Sequence, residues 1–135
     1  MGNLTITEAF ARYGATLKNS QWSVSAWALD GSLVVSLWDH HYRKGPPGTM
    51  EFADSFNRWS GHGNKEFREN VAKAFAEGRE VRLVVVRTEH IERVQAGEDA
   101  KMIPKEFFPR EDLVGAVIEL VNDRYAFQFK RRPHL

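Results

Sequence analysis

The spacing of apolar and polar residues changes period several times along the chain, and each change marks an element. Thr5-Ile6-Thr7-Glu8 has the spacing of a capping box; Ala9, Phe10 and Tyr13 follow at helical intervals, and Gly14 ends the run, which predicts a short first helix. From Trp22 to Leu29 the pattern becomes strand-like. Asp30-Gly31 is a two-residue hairpin signal, and Ser32 to Trp38 reads as the returning strand. Gly45-Pro46-Pro47-Gly48 is loop chemistry, whereas Met50 to Trp59 has a mixed pattern that fits either a short helix or an irregular strand. Phe67, Val71, Ala74 and Phe75 make one apolar stripe between Asn64, an N-cap type, and Gly78, a C-cap type, so the main helix is expected over Lys65 to Glu77. Val81 to Val86 is almost continuously apolar and β-branched, as in a strand covered on both faces. Thr88 to Lys105 is charged and poorly periodic, a long loop with a helical turn at most. Ala116 to Val121 and Arg124 to Lys130 flank Asn122-Asp123 as a second hairpin, with Ile118, Leu120, Tyr125, Phe127 and Phe129 expected on one face.

This order, α-β-β-α-β-β-β, predicts a single α+β domain over residues 1–135. Its sheet is expected to be mainly antiparallel and twisted, with about five strands, two helices and a curvature that allows partial barrel closure. If Asp30 and Gly31 are the whole turn, Ala28, Ala26 and Val24 face Leu33, Val35 and Leu37 on one side of the first hairpin. Trp27, Ser25 and Ser23 then face Val34, Ser36 and Trp38 on the other. Two tryptophans among serines admit two readings, a second buried face under a helix or a platform on which a flat ligand such as a nucleobase stacks. Which one holds depends on the turn, because a one-residue slip changes which residues share a face.

Composition narrows the chemistry. The chain has no cysteine, which excludes thiolate metal sites, iron–sulfur clusters, thiol catalysis and disulfides. No apolar run reaches the roughly 18 residues of a membrane span, and the opening MGNLTITEAF lacks the basic and apolar regions of a leader, so a cytoplasmic protein without membrane contact is expected. A formal charge of +1 argues against a partner held by bulk charge alone. Arg79, Arg82, Arg87 and Arg93 and the terminal Lys130-Arg131-Arg132 are interspersed with acids, a patchy surface that still permits a phosphate track.

Two clusters carry candidate chemistry. Ser60-Gly61-His62-Gly63-Asn64-Lys65 places glycines, a cap residue and a lysine where the main helix begins, which suits either an anion or an ordinary cap. Asp39-His40-His41-Tyr42-Arg43-Lys44 leaves the second strand; with Asp54 and His62 it supplies the acids and bases of a small hydrolase or nuclease, provided Asp39, His40, His41, Asp54 and His62 converge. Adjacent histidines point to opposite sides of an extended chain, so His40 and His41 do not readily share a metal. The expected main helix holds no histidine, against the ββα-metal nuclease pattern, and Glu80-Val81-Arg82 is a poor imitation of a restriction-type Glu-x-Lys.

Asn19-Ser20-Gln21-Trp22-Ser23, Ala26 and Val34-Val35-Ser36-Leu37-Trp38-Asp39 together resemble the opening of small bacterial and phage domains, some of which accompany HNH-type restriction nucleases. Those domains are similar to small β-barrel modules of the PUA and SRA kind, and the resemblance implies binding of RNA or modified DNA beside a catalytic partner. Residues and resemblance together favour a non-enzymatic, cofactor-free nucleic-acid-binding module over an enzyme. Trp27, Trp38 or Trp59 would stack on bases, and Arg43, Lys44, Lys65 and Arg131, with His62 beside the helix start, would meet DNA or RNA phosphates. The remaining alternative is an interaction protein or homodimer that packs aromatics around Trp59, Phe107 and Phe108 against a partner.

Overall fold

The computed structural model describes residues 4–133. Its elements are α1 (Ile6–Ala11), β1 (Ser25–Trp27), β2 (Leu33–Trp38), β3 (Tyr42–Lys44), β4 (Thr49–Ser55), α2 (His62–Glu77), β5 (Val81–Arg87), α3 (Ile91–Gln95), β6 (Glu106–Pro109), β7 (Leu113–Val121) and β8 (Arg124–Arg131). The strands form one open sheet in the order β1-β2-β5-β7-β8-β4-β3, with β6 paired to β5 beside this path. The fold is α+β, but the expected sheet is corrected in size, in polarity and in closure: among the described residues it has eight strands, β2 and β5 run parallel, and the sheet stays open. Three helices replace the expected two among the described residues, because the charged segment after β5 holds α3. Of the three additional strands, β4 falls in the segment whose pattern fits a helix or an irregular strand, and β3 and β6 are short and rich in polar or aromatic residues; what defines them is a hydrogen-bonding neighbour rather than an apolar period.

The first hairpin differs from expectation by one residue. Its loop is Leu29-Asp30-Gly31: Ala28 donates its N–H to the Ser32 carbonyl at 2.9 Å, and Gly31, at φ 88°, takes the left-handed position that closes a three-residue loop. Asp30 Oδ1 accepts from the Ser32 N–H and hydroxyl at 2.9 and 2.7 Å, which holds the turn. The pairs are therefore Ser25 with Val35, Ala26 with Val34 and Trp27 with Leu33. Because side chains alternate along a strand, Trp27 now lies on the face of Leu33, Val35 and Leu37, and Trp38 lies on the other face with Val34. The expected Trp27–Trp38 platform does not exist.

Each face has its own core. On one, α2 lays Phe67, Val71 and Ala74 against Leu33, Val35, Leu83, Val85, Phe52, Leu113, Tyr125, Phe127 and Phe129. On the other, α1 packs Ala9 and Phe10 against Ala26, Ala28, Val34 and Val84. Trp27 Nε1 donates to Asn70 on α2 at 3.0 Å, while Phe67 of the same helix meets the Tyr125 ring of β8 at 5.2 Å between centroids. Strands β1 and β8 are four positions apart, about 19 Å in a flat sheet, against roughly 10–12 Å for a helix with its side chains. The sheet therefore curls around α2. Arg82, expected on the surface, is buried on the α1 side, where it donates to the Leu113 and Glu111 carbonyls and lies 4.7 Å from the Tyr13 ring centre.

The second hairpin has its two-residue turn, with Asn122 at φ 56°, but a bulge between Val117 and Glu119 lifts Ile118 off the core face, leaving it 42% exposed. Helix α2 begins at His62, not Lys65, with Gly61 as N-cap. Asn64 is thus inside the helix, and its buried side-chain amide donates to the Phe56 and Trp59 carbonyls at 2.9 and 3.1 Å instead of capping. No helix among the described residues is long and apolar enough to cross a membrane.

Candidate functional site

Parallel pairing of β2 and β5 brings the chain out of both strands at the same end of the sheet. The segment after Trp38 and the segment after Arg87 are therefore neighbours, and between them opens a cleft of about 660 Å³. Trp22, Trp38 and Trp59 line it, contributed by the loop before β1, the end of β2 and the approach to α2. All three are half-buried, and they are not alike. Trp59 packs against the α2 core, as does Trp27 outside the cleft, whereas Trp22 and Trp38 join neither core.

Local chemistry explains how Trp22 is held. Gln21 N–H bonds Asn19 Oδ1 at 2.8 Å, Asn19 N–H bonds the Ser23 hydroxyl at 3.1 Å, and Ser23 N–H returns to the Asn19 carbonyl at 2.8 Å, so a tight polar turn carries the indole. Its backbone lies against the first turn of α2. A Cβ at Gly63 would stand 2.2 Å from the Trp22 carbonyl oxygen, so this glycine serves the close approach of two chain segments. The Trp22 ring is 5.5 Å from the His62 ring, tilted by 42°, and Trp38 is 5.9 Å from His40.

One wall rests on a compact polar cluster. Asp54 Oδ2 accepts from Arg58 Nε at 2.7 Å and the Tyr125 hydroxyl at 3.4 Å, and lies 3.5 Å from His41 Nδ1. Arg58 Nη1 also donates to the Val94 carbonyl at 2.7 Å, and His40 and His41 bring their Nε2 atoms to Gln95 Oε1 at 3.0 and 2.5 Å. These contacts dock α3 onto the sheet. Burial pushes the Tyr125 hydroxyl well above its ordinary value. Burial pushes His41 down, with Asp54 pulling it the other way, so the imidazole is less basic than a free one.

The lowered His41 value has a consequence for stability. Below its ordinary pKa of 6.5, the unfolded chain takes up a proton that folded His41 resists, so stability is full above that pH and falls as pH drops toward the lower folded value. Urea unfolding of the wild type and His41→Gln at several pH values is expected to show a shallower acid-side decline in the variant, the difference being at most about 1.4 kcal/mol per pH unit. Parallel curves would show that His41 titrates alike in both states.

The residues expected to act together are distributed as follows. His41, Trp38, Trp59 and His62 line the cleft, and Asp54 stands behind His41. Asp39 turns away to Arg87 at 3.4 Å, and the His40 ring lies 5.9 Å from that of Trp38, tilted by 39°. The five-residue acid–base set is therefore gathered only in part, and both ring nitrogens of His41 already face partners. No group of three His, Asp or Glu side chains suited to a metal occurs among the described residues. Trp27 lies outside, covered by Asn70 and by Lys73, whose Nζ is 5.2 Å from the ring centre. Arg43 is paired with Glu51 at 2.8 Å and Glu119 at 3.7 Å. Lys44 and Arg131 are exposed at the far end, since β8 runs from Tyr125 at the cleft to Arg131, about 20 Å away. Phe107 and Phe108 are half-buried and pack against the two cores.

Arg58, Tyr125, Gln95 and Trp22 carried no expected role. Trp22 had a legible signal, an aromatic flanked by turn-forming polar residues. The others are reached only through tertiary contacts. Searches against models of protein families, curated proteins and solved structures found no match to this chain, so the reading of the cleft rests on its own residues.

Proposed function

We propose that the chain is a binding module whose cleft takes one unstacked nucleobase of a single-stranded or locally opened nucleic acid. The observation that carries this is that Trp22 and Trp38 line the cleft while joining neither core. Large aromatics normally serve burial, and two that a turn and a strand end hold at a cavity wall offer flat faces to a flat ligand. The cleft's size lies within the range of small-molecule sites, and of its Lys and Arg side chains Lys101 is exposed while Arg58 and Lys105 are engaged. Arg58 is held by Asp54 and Val94, and Lys105 Nζ donates to the Ala100 and Ile103 carbonyls at 2.6 and 3.2 Å. Glu98 is engaged by Arg93. A neutral planar ring suits this lining better than a phosphate does.

Binding over catalysis is favoured by His41, whose nitrogens are directed to Asp54 and Gln95 rather than left free for a substrate proton. The test is a tryptophan-fluorescence titration with single- and double-stranded DNA and RNA oligonucleotides at several salt concentrations. Single strands are expected to quench the emission. With few free cations near the cleft, log affinity should fall against log salt with a slope of only about −1.5 to −2, the value for two or three phosphate contacts. No quenching at roughly tens of micromolar in low salt, where even non-specific contact registers, would overturn the reading.

A further inference from the structure

The Trp22–His62 pair has two sides. One faces the cleft; the other borders a second depression of about 400 Å³, whose wall includes Lys18, Lys65, Glu66 and Asn70. Lys18 and Lys65 are exposed, and neither lies within ion-pair distance of a carboxylate among the described residues. Arg58 and Lys105 at the cleft, by contrast, are engaged. Two acids share this wall: Glu69 is exposed, and Glu66 faces Ser23 and Lys18, where burial raises its carboxyl above the ordinary value.

We propose that this depression is a second subsite for the nucleotide next to the one in the cleft. Its base would lie over the outer side of the Trp22–His62 pair and its phosphate between Lys18 and Lys65, so that the ligand is a polynucleotide strand and not a free nucleoside. The inference rests on the nucleobase reading of the cleft and adds the direction in which the strand leaves it. Two sides of one aromatic pair, one toward the engaged Arg58 and Lys105 and one toward Lys18 and Lys65, separate base recognition from backbone recognition.

The experiment compares the wild type with Lys18→Gln/Lys65→Gln, using the individual nucleosides and short single-stranded oligonucleotides as probes, with tryptophan quenching and anisotropy as readouts. Both lysines are exposed, so the double variant should unfold with the wild-type midpoint. The expected result is unchanged nucleoside binding, oligonucleotide affinity lowered about three- to tenfold at low salt, and a salt slope shallower by about 0.7, the share of one phosphate. Unchanged oligonucleotide binding and salt slope would overturn the second subsite while leaving the cleft reading intact. Equal losses for nucleoside and oligonucleotide would also overturn it, because the lysines would then act on the base. Failure of the wild type to bind any probe would bring down the cleft reading itself, and this inference with it.

Discussion

Trp38→Ala is expected to weaken binding of a single-stranded oligonucleotide by about tenfold to a hundredfold, the loss of one base–aromatic contact, with a small change in unfolding midpoint. The small stability cost follows from the packing: Trp38 is half-buried, shares a face with Val34 and joins neither core. Trp27→Ala is the control, and the opposite outcome is expected. Trp27 packs on the α2 core and donates to Asn70 at 3.0 Å, so its removal should lower stability by about 2–4 kcal/mol and leave the affinity of the remaining folded protein unchanged. Parallel binding and urea-unfolding measurements on the two variants decide the matter. Equal affinity losses, or a Trp38 variant that loses stability alone, would mean that the cleft is not where bases stack.

The contrast between these tryptophans was the part of the site least legible in the sequence. Periodicity placed both on strands, and the turn signal Asp30-Gly31 put them on one face. The chain adds Leu29 to that loop, and the resulting side chain is 97% exposed. A leucine at the end of an apolar run gives no local indication that it will leave the strand; the preference is set by Gly14, whose carbonyl accepts the Leu29 N–H at 3.1 Å, and by Asp30 bonding Ser32. Elements with strong local signals were readable: the capping box of α1, the Gly78 end of α2, the buried β5 and the Asn122-Asp123 turn. The strands β3, β4 and β6 were not, since a strand exists only with its partner, and those partners lie up to tens of residues away. The parallel register of β2 on β5 is of the same kind. It is also the feature that makes the cleft, by sending two connections out at one end of the sheet.

The largest stability effect is expected from Phe67→Ala. Phe67 is 1% exposed, and its ring meets those of Phe56, Trp59, Tyr125 and Phe127 at centroid distances of 5.9, 6.1, 5.2 and 6.2 Å, joining α2 to β8 while forming part of the cleft lining. Truncation should cost about 3–5 kcal/mol in urea unfolding, because rings from several elements cannot all collapse into the space left. Phe67→Leu, which restores most of the volume, should cost less than about 2 kcal/mol and keep oligonucleotide affinity within threefold of wild type. The leucine variant carries the functional information. It changes the shape beneath the cleft but leaves Trp22 and Trp38 in place, so stacking on those two rings requires that binding survive. An affinity loss as large as that of Trp38→Ala in a protein still folded would mean that the aromatic floor, not the Trp22 and Trp38 indoles, recognises the ligand.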